Sequence, residues 1–396
     1  MLLKNYKATL AASCLGYVTQ AIMLNFPPLL FVLFQEDFGL TIAQVSTLIA
    51  SNFITELAVD AIASKYAQNI GYRPLVILAD IFSILGLVAM FALPSIMTSK
   101  YLALIISMML CGLGGGLMEV LISPIVEACP TKDKSGTMSL LHSFYCWGQV
   151  AVVLLSTIFF KAVGIESWHY IALIWALVPL IDLILFTIVP INTLVEKGEE
   201  SKLFDLFKSG FFWVMIVMML CAGACELAMS QWASAFAESA LGVEKWLGDL
   251  LGPCLFAVAM GSARVFYARS SEKINLEIGI LISAIICIFS YLLAIFAPLP
   301  IISLIGCALC GIGCGLLWPG SYSIAIGKIP KGGVLLFGLL ALAGDLGALV
   351  GPFVAGQVSS AFGDNLKAGF FASLIFPSVL TVICIFLIIK NKKKQD

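Results

Sequence analysis

Long apolar runs almost free of charge constrain this chain more than any other feature. Of its 396 residues, 61% are hydrophobic and 11% charged, whereas a domain that folds in water carries about 25% charged residues. Crossing the hydrocarbon of a bilayer takes about 20 apolar residues per helix, so twelve helices need about 240. Breaks in hydropathy delimit twelve such runs, at 8–34, 42–64, 74–98, 101–128, 137–163, 170–190, 210–240, 247–267, 278–297, 301–327, 334–361 and 370–390. They are continuous rather than alternating, which speaks against a transmembrane barrel. The sequence predicts an all-α integral membrane protein with twelve transmembrane helices, spans 1 to 12 in chain order. The first run is too long for a cleavable signal peptide and reads as a spanning helix.

Two of these spans are near copies. Leu110 to Glu119 reads LCGLGGGLME and Leu309 to Trp318 reads LCGIGCGLLW, 199 residues further on. Gly148 in span 5 and Gly347 in span 11 keep the same offset. Small residues at four-residue spacing let helices approach closely. The chain therefore divides into a six-helix half at 1–190, a polar cytoplasmic linker at 191–209 and a second six-helix half at 210–396. The copies diverge where Glu119 faces Trp318, and a shift of 204 residues sets Asp60 against Arg264.

Lys and Arg fix the orientation, because short inner loops carry the excess. With the N-terminus inside, eighteen of the 22 basic residues fall on the inner side, and only Lys100, Lys161, Lys245 and Lys367 fall outside. Both termini are then cytoplasmic. The twelve cysteines lie in or beside apolar runs and imply no disulfide framework. Cys307, Cys310 and Cys314 share a helical face. They suit either soft metal ligation or close packing, and with no His or acid beside them the packing reading is preferred, so no metal or cofactor is implied.

Six plus six helices, a polar central loop and paired glycine-rich spans 4 and 10 resemble the major facilitator superfamily over the whole chain. That family's motif after span 2 has the pattern G-x-x-x-D-R-x-G-R-R. The aligned stretch, Ser64 to Arg73, is SKYAQNIGYR, which keeps Gly71 and Arg73 but places Gln68 and Asn69 where an acid and a base belong. The counterpart in the second half keeps the pair Glu272–Lys273. Within the superfamily, GLGGGLME of span 4 is similar to the fucose permease-type sugar:proton symporters, in which a glycine-rich run leads into a membrane-embedded glutamate that handles the proton. The resemblance places that role on Glu119. The group's second acid, in span 1, has no equivalent here, where Gln20 and Asn25 stand instead. The resemblance implies two pseudo-symmetric six-helix bundles that rock about a midplane site, in a monomeric, multi-pass protein of the plasma membrane.

A charge at the bilayer centre costs about 2.5–3.5 kcal/mol on insertion scales, so acids deep in spans need a reason. Glu119 is assigned to proton coupling, with His142 of span 5 as a relay. Glu226, Ser230 and Ser234 of span 7 form a stripe at four-residue spacing, with Gln231 nearby, and Glu226, Ser230 and Gln231 are assigned to the substrate. Gln20, Asn25, Tyr145, Gln149, Trp318, Tyr322 and Asp345 complete the substrate set, since rings stack on sugar faces while amides and hydroxyls bind hydroxyl groups. Trp147 and Trp232 share that chemistry. Asp182 is read as structural. Asp60, Gly71, Arg73, Arg264, Glu272 and Lys273 are assigned to gating.

The functional reading is a secondary transporter that takes up a small neutral solute, a sugar first, with protons. Drug or metabolite efflux is the alternative, and a transporter-like nutrient sensor is the alternative of another class. With two histidines and no catalytic cluster, an enzyme is not expected. Nucleic-acid binding has no support, and the C-terminal lysines read as an inner anchor.

Overall fold

The computed structural model describes residues 5–130, 134–192, 206–270, 275–329 and 333–392. Twelve helical segments in it are long and apolar enough to cross a membrane: Tyr6–Phe38, Ile42–Ala63, Tyr72–Ile96, Lys100–Val126, Leu140–Val163 and Ile165–Ile188 in the first half, and Gly210–Ala240, Lys245–Tyr267, Leu276–Phe296, Pro300–Tyr322, Gly338–Ala361 and Leu366–Lys390 in the second. Among the described residues there is no β-strand. Two compact units divide the chain, Met1–Val195 and Glu196–Asp396.

Helix ends follow local chemistry. Asn5, Ser99, Ser209 and Asn275 each accept a backbone N–H of the first turn, and Thr41 with Gln44 forms a capping box before span 2. The motif after span 2 is not an open loop. Helix Ile42–Ile70 runs through Lys65 to Ile70, and the chain turns at Gly71 alone. Gly71 has φ 95°, which a side chain would strain.

Spans 1 and 7 depart from α geometry in opposite ways. Span 1 stops at Asn25, passes through a 3-10 turn at Pro27–Leu30 and resumes as Phe31–Phe38. Span 7 is α-helical over Gly210–Ala235 and then widens into a π segment, Phe236–Ala240. A second π segment, Leu250–Cys254, holds Pro253 in span 8.

Within each unit the same packed pairs recur. Spans 1·4, 1·5, 1·6, 2·4, 3·4 and 3·6 pack in the first unit, and 7·10, 7·11, 7·12, 8·10, 9·10 and 9·12 in the second. Spans 4 and 10 are the hubs. Span 1 is the most enclosed, with 89% of its core window buried. Other spans expose apolar ladders at helical spacing, such as Leu78, Ile81, Leu85 and Val88, or Ile278, Ile282, Ile285 and Phe289. An apolar outer surface is what lipid as solvent requires, because the backbone is satisfied inside each helix.

Candidate functional site

In the first unit the site is built on span 4. Its glycines let neighbouring helices lie against it, and each is held by a specific neighbour. A Cβ on Gly112 would meet the Asn52 carbonyl oxygen, and one on Gly116 would lie 3.1 Å from Glu56 Cα. Gly114 instead faces span 3, where a Cβ would lie 2.7 Å from the Ser83 nitrogen. Close approach brings the polar face of span 2 inside, where Asn52, Glu56 and Asp60 are all buried. Asn52 Nδ2 donates to the Met108 carbonyl at 3.1 Å. Asp60, assigned to gating, packs against Gly116.

One turn beyond the glycines stands Glu119, half-buried. Gln20 Nε2 of span 1 donates to its carboxylate at 2.7 Å. Four residues on, Ser123 shares a hydrogen bond of 2.9 Å with the Tyr17 hydroxyl, and His142 Nε2 lies 3.5 Å from the same Ser123 oxygen. The Tyr17 and His142 rings are 5.2 Å apart. A polar row thus runs from Gln20 and Glu119 to Ser123, Tyr17 and His142, where His142 is exposed. The sequence reading named Gln20, Glu119 and His142 but not Tyr17 or Ser123. The usable signal was spacing, since Tyr17 and Gln20 stand three apart, Glu119 and Ser123 four apart, and such pairs share a helix face.

Asn25 Nδ2 reaches the Tyr145 hydroxyl at 3.4 Å, so two of the substrate assignments meet. Gln149 is buried one turn along. Trp147 does not join them. It is exposed together with Leu140, Leu154 and Ile158 of the same helix, the outer apolar face. Arg73 donates to the carbonyl oxygens of Phe186 and, at 2.7 Å, Val189. It therefore ties the start of span 3 to the end of span 6 inside the first unit.

Asp80 of span 3 and Asp182 of span 6 are completely buried, and neither carboxylate has a hydrogen-bond partner among the described residues. They lie within electrostatic reach of one another, and a Cβ on Gly16 would lie 3.2 Å from an Asp182 oxygen. A buried acid pair without a base is costly unless protons neutralise it, and the sequence did not show that the two acids meet.

In the second unit Glu226 of span 7 pairs with Arg264 of span 8, Oε2 to Nη2 3.8 Å. Arg264, assigned to gating, thus has a partner in its own unit. Gln231 and Ser230 are buried on span 7. Trp232 is wholly buried and donates to the Pro352 carbonyl at 3.0 Å, a packing role. Ser234 is spent on a charged corner that sequence reasoning missed. Its hydroxyl bonds Asp249, while Lys245 Nζ lies 3.3 Å from Asp249 and 3.7 Å from Glu238. Glu238 of this corner lies in the first π segment and Asp249 directly precedes the second, a form that often marks functional sites.

Trp318, half-buried, lies with its ring against Gly344 of span 11, where a Cβ would collide. Asp345 is buried beside that glycine, and Tyr322 is half-buried one turn past Trp318. Glu272 and Lys273 lie outside the described residues. At the same end of the second unit, Lys328 of span 10 reaches Glu277 of span 9 at 2.6 Å.

Residues 8–333 match the Major Facilitator Superfamily. The chain is 23% identical over 304 residues to the membrane protein MosC of Rhizobium meliloti, covering 76% of this chain and 72% of that protein. Its fold resembles a D-xylose-proton symporter (TM-score 0.75, 17% identity, 96% of this chain and 95% of that one). It also resembles the E. coli fucose:proton symporter FucP (TM-score 0.65, 16% identity, 95% and 98%). With twelve membrane-competent helices, and a family match over most of its length, the chain belongs to the Major Facilitator Superfamily of membrane transporters.

Proposed function

We propose that this transporter is a proton-coupled importer of a small neutral solute, a sugar first, working as a monomer in the plasma membrane with both termini cytoplasmic. The observation that carries the reading is the Gln20–Glu119 hydrogen bond of 2.7 Å. A proton carrier must accept and release a proton during each cycle without leaving a fixed charge stranded in the membrane. Glu119 accepts from the neutral amide of Gln20, an uncharged donor that stays in place whether the carboxyl is protonated or not. Ser123, Tyr17 and His142 extend the polar row from Glu119 and supply the relay.

Glu226 is matched to a different task. Arg264 neutralises it, and the pair suits an anchor for hydroxyl groups rather than a travelling proton. Asn25, Tyr145, Gln149, Trp318 and Tyr322 provide the amides, hydroxyls and rings that a sugar needs. The sugar and proton named for the two similar solved structures support the substrate class. Alternating access of the two six-helix units is the route.

The test is uptake into proteoliposomes across a sugar panel, with and without an imposed proton gradient. Accumulation of at least one sugar only with the gradient supports the reading. Exchange of Glu119 for Gln abolishes that accumulation but leaves counterflow of bound sugar. Full accumulation by this variant sinks the assignment and passes the proton role to Asp80 and Asp182, to be checked with Asp182→Asn. Substrate moving out of loaded vesicles against its gradient makes the protein an exporter instead.

A further inference from the structure

Four cysteines converge inside the second unit from three helices, two of them consecutive in the chain. Cys225 of span 7, Cys287 of span 9, and Cys310 and Cys314 of span 10 are fully buried, and their sulfur atoms all lie within 4.8 Å of one another. The pairs Cys287–Cys314 and Cys310–Cys314 are 3.9 Å apart, sulfur to sulfur. We infer that this cluster is a mononuclear metal site for a soft, thiolate-seeking cation, zinc(II) foremost, which clips spans 7, 9 and 10 together.

The geometry supports a single ion. Tetrahedral zinc bonded to four thiolates at about 2.3 Å spaces the sulfurs by about 3.8 Å. The two closest pairs already stand near that spacing, and the widest must close by about 1 Å. Iron–sulfur clusters spread their thiolates over several irons and need a wider frame than these four sulfurs give. Four thiolates without histidine, carboxylate or an open position make a closed structural set rather than a catalytic one.

Packing alone does not call for these thiols. The 199-residue repeat sets Cys310 against Cys111 and Cys314 against Gly115. In the joint between the hub and its neighbour, Gly313 faces Cys287 as Gly114 faces Ser83. At the corresponding positions the first unit therefore holds one thiol, one hydroxyl and one glycine. The second unit has replaced two of these with thiols and gained a fourth from span 7.

Binding is written as M²⁺ + 4 Cys–SH → [M(S–Cys)₄]²⁻ + 4 H⁺. Four metal–sulfur bonds form, four S–H bonds break, and no electron is transferred. With all four sulfurs inside the bundle, loading belongs to the folding of the unit rather than to the transport cycle. The ion is thus a resident brace and not cargo. Cys225 also neighbours Glu226 in sequence, so the brace fixes the helix that carries the Glu226–Arg264 pair.

The experiment uses the full chain, purified with a tag that contains neither histidine nor cysteine from cells grown with added zinc. Metal per chain is measured by mass spectrometry, and the first coordination shell by X-ray absorption. About one zinc per chain is expected, with sulfur neighbours only, at about 2.3 Å. Copper(I) in the same all-sulfur shell also sustains the site. Cys310→Ala/Cys314→Ala lowers the metal at least tenfold, while Cys307→Ala, also buried on span 10 but outside the four, leaves it unchanged. Less than about a tenth of an ion per chain in the wild type, or a shell of nitrogen and oxygen, overturns the inference. So does equal loss in Cys307→Ala. Because the wild-type stoichiometry and shell decide the matter, a double variant that fails to fold does not spare it.

Discussion

In span 4, Gly112 and Gly116 face span 2 while Gly114 faces span 3; in span 10, Gly311 and Gly315 face span 8 while Gly313 faces span 9. The alternation is the same in both halves, and each glycine admits a neighbour where a Cβ would collide or, at Gly116, be tightly crowded. Three residues past the last glycine the likeness ends. Glu119 takes a hydrogen bond from Gln20, whereas Trp318 lies on Gly344. Helix contact, which both units need to fold, has kept the two copies alike. Past the shared glycines the two copies carry different side chains on different partners.

The comparison breaks most visibly at the shared part. Gly311→Leu drives a side chain into the Phe256 backbone, which cannot yield as a flexible side chain does, so no monodisperse protein is expected after solubilisation. Gly114→Leu fails in the same way against Ser83. Gly338→Leu, with open space around its Cα, purifies normally. Folded protein from both buried variants contradicts the shared-joint account.

Next in size is the contrast between the two acids. Arg264→Ala leaves Glu226 buried without its cation, and breaking such a pair costs about 3–5 kcal/mol, read as a large drop in melting temperature. Arg264→Leu combined with Glu226→Leu recovers most of it. Gln20→Ala, which removes one hydrogen bond to Glu119, costs about 1.5–3 kcal/mol at most and depresses proton-driven uptake more than it does melting. If the two losses are equal, the division into an anchored acid and a proton-carrying acid is wrong. The smallest effect is expected at the divergent aromatic. Trp318→Phe keeps a ring on Gly344, raises KM a few-fold and leaves kcat and stability near wild type. An unchanged KM removes Trp318 from the substrate set.

Much of the fold was legible because membrane spans need only length and apolarity, and the repeat at residues 110–119 and 309–318 announced the two halves. Edges were less clear. Lys65 and Gln68 looked like loop residues, yet the helix carries them to Ile70, because a helix end can project past the apolar segment into water. At the site, single residues could be named but not their partners. Glu119 stands 99 residues from Gln20, and Glu226 stands 38 from Arg264, so no local spacing reports either contact. The cysteines show the same limit. Cys310 and Cys314 advertise one face of one helix, but Cys225 and Cys287 join them only through packing of three helices. A rule that weighs ligands by sequence proximity sees only the span 10 thiols and misses the two that packing brings to them.

Span 1 passes through a 3-10 turn at Pro27–Leu30, and span 7 through a π turn at Phe236–Ala240. One thread is wound too tight and the other too loose, in the leading helix of each half. A 3-10 turn advances about 2.0 Å per residue against about 1.5 Å in the α form, while a π turn fits extra residues into each circuit. Beyond these points the two leading helices have lost phase with one another, like screws of unequal pitch. The 199-residue correspondence that aligns the hubs therefore cannot be carried to the far ends of the leading helices. A chimera that joins residues 31–38 to the end of span 7 would rotate Phe31 and Phe34, buried where they are now, out of the interior.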